Sequence, residues 1–314
     1  MNAIVEQALV LWGLEGAEYI LVATRENAVY KITTEHHMFA LRLHRQGYRT
    51  DIELQSELQW MEAAASGGIR VPAPLPSLSG DMLHVLDDVQ VDVLTWLSGV
   101  TLDAALEGLL PTARAVLFYR VGQEMACLHD VSDAWEQPAR FARCAWDRDG
   151  LLGEAPLWGR FWDNPALTSH DRDLFLAMRD KAYAELAKLE AKLDYGLIHA
   201  DLVSANVMVD GDQIQLIDFD DGGFGFRLFD IATALLKHLD APDFSTLRTG
   251  LIEGYTSVRP IDLAVLDLFI LLRSATYVGW NITRMTEDGT SGRNARFIST
   301  TKQLATAYME PDGI

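Results

Sequence analysis

The spacing of apolar residues changes near residue 98, and this change restricts the fold more than any other feature of the chain. Before it, residues 19–23, 29–33 and 37–43 are short β-rich runs, and 82–86 and 90–96 are two more. One helix interrupts them: Thr50-Asp51 offers caps, Leu54, Leu58 and Met61 recur at helical spacing, and Gly67-Gly68 stops it near residue 65. Val71-Pro-Ala-Pro-Leu-Pro76 is a stiff connector. Beyond residue 98 helical spacing dominates, over 102–109, 111–129, 171–193, 228–239, 244–255 and 261–285. Strands first and helices afterwards predict an α+β chain with a small β-rich N-lobe, residues 1–97, and a large helical C-lobe, residues 98–314. A cleft between two lobes is a default ligand site.

Charge and cysteine content remove several function classes. Asp and Glu number 45 against 26 Lys and Arg, a net charge of −19 over 314 residues. So acidic a chain argues against nucleic acid and anionic membranes as partners, while leaving room for one phosphorylated ligand. Two cysteines, Cys127 and Cys144, supply neither a disulfide framework nor a zinc site. The opening Met-Asn-Ala-Ile-Val-Glu has no basic region, and the most apolar later run, 263–272, is broken by Asp267. The expectation is a soluble, cytoplasmic protein. There is no Walker loop and no Gly-x-Ser-x-Gly elbow.

Residues 196–220 break the helical pattern. They contain His199-x-Asp201, then Asn206 five positions on, a turn at Asp210-Gly211, and a return strand ending at Asp218. The hairpin predicts Asp201, Asn206 and Asp218 at one end. Two carboxylates and an amide oxygen are hard donors suited to magnesium, and one carboxylate could instead orient a hydroxyl nucleophile. A plain hairpin with polar turn caps is the alternative.

This ordered set resembles the catalytic loop and metal-binding aspartate of the protein-kinase-like superfamily. With Ala200 where protein kinases carry arginine, it resembles the aminoglycoside phosphotransferase family, which includes choline kinases and kinase-fold homoserine kinases. The resemblance spans about residues 19–285 and implies a protein-kinase-like bilobal fold and an ATP- and Mg2+-dependent phosphotransferase acting on a hydroxyl. It implies Asp201 as catalytic base, Asn206 and Asp218 as magnesium ligands, His199 as a shaper of the loop, and Asp230 as its structural brace.

In the N-lobe the resemblance places Arg42 where the family carries its phosphate-pairing lysine. Its partner is expected on the next helix, where Glu53 and Glu57 share a face and the context favours Glu57. Lys31, His44 and Arg45 are nearby substitutes. The turn at residues 24–28, with Asn27, takes the place of the phosphate-covering hairpin, although no glycine lies between Val22 and Lys31. Thr95, Trp96 and Leu97 are expected to supply backbone hydrogen bonds to adenine.

The acceptor is less constrained. Eleven residues without Ser, Thr or Tyr separate Asp218 from Asp230, too short a segment for a regulated protein kinase, so a small-molecule hydroxyl is favoured. A stress-response-type Ser/Thr protein kinase and a nucleotide-binding pseudoenzyme remain as alternatives. Trp146 and Trp158, interleaved with acids, could hold an amine by cation–π attraction or could be core. Arg273, Tyr277, Trp280 and Arg284 fall on one helical face that could grip a carboxylate or make salt bridges. Small amino alcohols or hydroxy amino acids rank above aminoglycosides.

Overall fold

The computed structural model describes residues 2–24, 27–285 and 290–310. The chain forms two compact units. One comprises Met1–Glu107, Asp130–Arg143 and Ser204–Asp220, and the other Gly108–His129, Cys144–Val203 and Asp221–Ile314.

In the first unit a helix α1 (Asn2–Leu11) precedes strands β1 (Glu18–Thr24), β2 (Asn27–Thr33) and β3 (Met38–His44). Helix α2 (Asp51–Ser66) and strands β4 (His84–Leu86) and β5 (Val89–Thr95) follow, in a sheet of order β1-β2-β3-β5-β4. Helix α1 was not expected: the first hundred residues read as carrying a single helix. Its Val5, Ala8 and Leu9 pack with Trp12, Ile32, Leu41 and Val91 in one apolar cluster. Helix α2 starts where the sequence placed it. Thr50 and Glu53 form a reciprocal capping box that satisfies two first-turn amides. Arg25 and Glu26, in the predicted polar turn, lie outside the described residues. A short β6 (Val100–Thr101) pairs with β9 (Val207–Asp210), which pairs in turn with β10 (Gln213–Leu216).

In the second unit β7 (Ala145–Trp146), β8 (Tyr195–Ile198) and β11 (Gly223–Phe226) make a small sheet with β11 in the middle. Around it lie α6 (Ser169–Leu189), α7 (Arg227–Leu236), α8 (Phe244–Thr256), α9 (Leu266–Trp280) and α10 (Thr290–Met309). Helix α9 is shorter than the predicted 261–285. The chain after Pro260 makes an Asx turn, Ala264 N–H donating to Asp262 Oδ1 at 2.9 Å, and a 3-10 turn, Ile282–Arg284, follows the helix. Helix α10 was not expected. Helix α8 lies so close to the neighbouring helix that a Cβ on Gly254 would sit 1.8 Å from the Tyr119 carbonyl oxygen. The helix carrying Tyr119, α4 (Pro111–Ala134), begins at a proline, a residue suited to a first turn; the short α3 (Leu102–Leu106) precedes it and the short α5 (Arg148–Leu152) follows it. Among the described residues no helix is long and apolar enough to cross a membrane.

Candidate active site

Strand β8 delivers the chain into His199-Ala200-Asp201, and a buried carboxylate holds that turn. Asp230, in the first turn of α7, accepts the His199 amide at 2.9 Å and the Ala200 amide at 2.7 Å. His129 Nε2 lies 3.1 Å from the same carboxylate, and its Nδ1 lies 2.9 Å from the Tyr255 hydroxyl. Burial, and then the Arg227 charge, push the His129 pKa down to about 4, so the ring is neutral. Because the carboxylate can only accept, Nε2 carries the proton and Nδ1 accepts from Tyr255. Burial raises the Asp230 carboxyl, but the hydrogen bond from His129 and the charges and amide around it leave its pKa lowered. Ala200 adopts a left-handed φ of +65°, a conformation costing about 1–2 kcal/mol for a residue with a Cβ.

Asp201 follows directly. Arg273 Nη2 donates to its Oδ1 at 2.5 Å and reaches the Tyr277 hydroxyl at 3.0 Å. The Arg273 side chain is fully buried, whereas that of Asp201 is 21% exposed, so the carboxylate is reachable and its partner is not. The guanidinium lies 4.5 Å from the Trp158 ring and 4.4 Å from the Tyr277 ring. Burial lowers the Arg273 pKa, but Tyr277 and Asp201 outweigh it and the net shift is upward. The cation is kept.

The β9–β10 hairpin presents Asn206 just before one strand and Asp218 just after the other. Ile217 N–H donates to the Asn206 carbonyl at 3.0 Å, so the two residues share the open end of the hairpin. Asp218 is exposed and left-handed, φ +71°, and Asn206 is largely buried. Among the described residues no group of three or more His, Cys, Asp or Glu side chains could hold a metal ion. One carboxylate and one amide oxygen still fit magnesium, which commonly takes one or two carboxylates and completes its shell with phosphate oxygens and water.

In the β1–β5 sheet Arg42 sits opposite Asp92 across the β3–β5 pair. Its Nε and Nη2 donate to the two Asp92 oxygens at 2.8 and 2.9 Å, and its Nη1 to Glu57 Oε1 at 2.7 Å. Glu53 is engaged instead with Thr50 in the capping box. His44 Nε2 lies 2.6 Å from Asp92 Oδ2. Burial raises the Asp92 carboxyl, yet Arg42 and His44 pull it down to about 2. Burial likewise raises Glu57, and Arg42, Arg143 and His44 overcome it. Sequence reasoning missed Asp92. The available signal was a lone acid inside the apolar run Val91-Asp92-Val93-Leu94.

Residues 20–269 match the phosphotransferase enzyme family. The chain belongs to that family. The phosphotransferase is similar over its full length to a microcompartment-associated aminopropanol kinase of known structure, with a TM-score of 0.85 and 28% identity, covering 100% of this chain and 99% of that one. An amicoumacin kinase, solved with AMP-PNP, Ca2+ and Ami, superposes with a TM-score of 0.78 at 21% identity, covering 96% and 93%. The homoserine kinase of Sinorhizobium medicae (strain WSM419) is 28% identical over 268 residues, 83% of this chain and 76% of that protein. The fold is α+β and protein-kinase-like, with its β-sheet toward the N-terminus and helices toward the C-terminus.

The remaining predicted residues are distributed as follows in the phosphotransferase. Trp158 and Tyr277 gather with Arg273 beside Asp201. Trp280 lies 6.1 Å from Trp158 and carries Arg284 over its ring at 4.1 Å. Arg284 stands in the 3-10 turn after α9, not on the helix with Arg273. Trp146 is buried, stacks on Phe229 at 5.3 Å and donates Nε1–H to the Asp221 carbonyl. Trp158 Nε1–H donates to Asp221 Oδ1 at 3.3 Å, which adds an acid to the aromatic group. Asn27 begins β2 opposite His44. Thr95 N–H donates to the Ala73 carbonyl and Trp96 N–H to the Met38 carbonyl, so two of the three linker amides are engaged within the protein.

Proposed function

We propose that this phosphotransferase moves the γ-phosphoryl group of ATP to the hydroxyl of a small amine-bearing acceptor, an amino alcohol or hydroxy amino acid. The observation that carries the reading is the Asp201 carboxylate: partly exposed, hydrogen-bonded by a buried arginine, on a loop pinned by Asp230. Asp201 orients the acceptor hydroxyl and takes its proton. The hydroxyl oxygen then bonds to the γ-phosphorus as the bond to the β–γ bridging oxygen breaks, and ADP leaves with that electron pair. Asn206 and Asp218 would hold magnesium, which when bound supplies positive charge to the phosphates.

On this reading residues 1–97 serve the nucleotide and residues 98–314 the catalytic loop and acceptor. Arg42, aimed by Glu57 and Asp92, pairs with phosphate. Of the three linker amides, that of Leu97 suits adenine, because those of Thr95 and Trp96 already have carbonyl partners. Arg273 orients the base, while Trp158, Tyr277, Trp280 and Arg284, with Asp221 beside them, form the acceptor wall. Asp221 attracts an ammonium and Arg284 a carboxylate, since the Trp158, Tyr277 and Trp280 rings already carry guanidinium groups. The aminopropanol and homoserine kinases among the similar proteins carry acceptors of this class in their names. Strand β11 occupies the segment after Asp218, which leaves no long loop for docking a peptide and favours a small acceptor. A cytoplasmic setting fits ATP as donor and the lack of a disulfide.

A coupled ADP-release assay with Mg-ATP and aminopropanol, ethanolamine, choline, homoserine, serine and an aminoglycoside tests the reading. ADP release dependent on an amino alcohol or hydroxy amino acid, and lost in Asp201→Asn with ATP binding retained, is the expected result. Turnover on the aminoglycoside alone, or full turnover in Asp201→Asn, would overturn it.

A further inference from the structure

We infer that Arg143 is a positioning residue that sets the Asp218 carboxylate for metal binding and links it to the Arg42–Glu57 pair. The inference rests on the proposed roles of Asp218 and Arg42. Arg143 lies in an irregular stretch far from both in sequence, and its side chain is only 2% exposed. Nη2 donates to two successive carbonyls, Phe219 at 2.9 Å and Asp220 at 2.6 Å. Nη1 donates to the Glu53 carbonyl at 3.1 Å and pairs with Glu57 Oε2 at 3.4 Å. The other Glu57 oxygen holds Arg42, so one carboxylate spans two guanidinium groups.

The need for such a clamp comes from the backbone. Asp218 is left-handed, which a residue with a Cβ keeps only when its surroundings impose it. The peptides immediately after it must therefore be held from outside. Arg143 grips both of their carbonyls, Arg49 Nη2 adds a bond to Asp220 at 2.9 Å, and Phe219 packs edge-on against Trp60 of α2 at 5.0 Å. The Arg143 backbone is itself tethered to α2, since the preceding Ala142 amide donates to Ser56 Oγ at 2.9 Å. Helix α2 thus carries the partner of the nucleotide arginine, the floor under Phe219 and the anchor of Arg143. A planar fork with several donors can bridge two carbonyls and a carboxylate, whereas an ammonium is a point charge.

Arg143→Lys is the deciding variant, because it keeps a cation beside Glu57 and gives up the carbonyl bridge. Calorimetry with AMP-PNP alone, and with magnesium titrated at saturating AMP-PNP, separates nucleotide from metal affinity without turnover. We expect Arg143→Lys to raise the magnesium dissociation constant about tenfold, a change of about 1.4 kcal/mol, while metal-free nucleotide affinity stays within about twofold. Asp218→Ala is measured alongside and should raise the magnesium constant at least as much. An unchanged magnesium constant in Arg143→Lys with a raised one in Asp218→Ala overturns the inference and leaves the role of Asp218 standing. Unchanged constants in both overturn the metal assignment as well.

Discussion

Replacing Asp230 with alanine removes one acceptor from three groups. The His199 and Ala200 amides and His129 Nε2 all converge on its carboxylate, and Asp230 and His199 are fully buried. A buried donor left without a partner costs about 1–3 kcal/mol. Three stranded donors therefore set the loss at about 3–9 kcal/mol, and the left-handed strain at Ala200, about 1–2 kcal/mol, is released as the loop relaxes, returning part of it. The midpoints, about 6 less about 1.5, leave a net loss of about 4–5 kcal/mol. At about 2.1 cal/mol/K per residue, that lowers Tm by about 6–8 °C for a chain of this length unfolding in one step. The catalytic effect should be larger than the stability effect suggests, since relaxation at Ala200 displaces Asp201, the next residue. A misplacement of about 1 Å can cost about a hundredfold in turnover. Scanning calorimetry and ADP-coupled kinetics on Asp230→Ala and Asp230→Asn provide the test. The asparagine keeps one oxygen for one amide and turns an N–H₂ toward the other, so it should fall between alanine and wild type. A Tm and a kcat both unchanged in Asp230→Ala would refute the view that this carboxylate holds the loop.

The same network sets a pH dependence. His129 stays neutral in the folded chain down to about pH 4, while in the unfolded chain it takes up a proton below about 6.5. The unfolded state binds more protons in that window, so stability is fully present above it and falls by about 3 kcal/mol as pH drops from 6.5 to 4. Urea midpoints at several pH values should show this slope, and His129→Gln should flatten it; an equal slope in the variant would assign it elsewhere. Gly254→Ala should destabilise by about 3 kcal/mol or more, because the new methyl meets the Tyr119 carbonyl at 1.8 Å and two helices must separate. Gly211→Ala, at a hairpin turn with φ +59° and open space around it, should cost only about 1 kcal/mol. Equal melting temperatures for the two glycine variants would contradict the close approach of the helices.

Local pattern carried much of this architecture, and tertiary register carried the rest. The Asp210-Gly211 turn fixed the β9–β10 hairpin, and with it the pairing of Asn206 and Asp218 at one end. The start of α2 was legible from Thr50 and Glu53, because a capping box is a contact over three residues. Which acid meets Arg42 depended on how α2 lies on the sheet, and Asp92 depended on strand register, so Asp92 was not found. Arg273 and Tyr277 could be placed together by helical spacing, but their approach to Asp201 spans 72 positions. Helix α10 escaped notice because its Thr, Ser, Gly and Asn content lowers helix propensity, and packing stabilises it instead. Arg143 had no signal of its own: it sits outside any strand or helix and acts through main-chain carbonyls, which no sequence pattern records.

The buried square of Arg42, Asp92, Glu57 and His44 also limits how a lineage of such enzymes can change. Arg42 neutralises Asp92 and Glu57 out of water and His44 hydrogen-bonds Asp92, so any single replacement leaves a charge or a polar group stranded, and the first step of any drift is deleterious. A lysine at position 42 could not span both carboxylates as the guanidinium does. Exchange of arginine for lysine is therefore expected to travel with loss of the acid at position 92. In a set of related sequences the two positions should change together, as a hereditary unit rather than as separate sites.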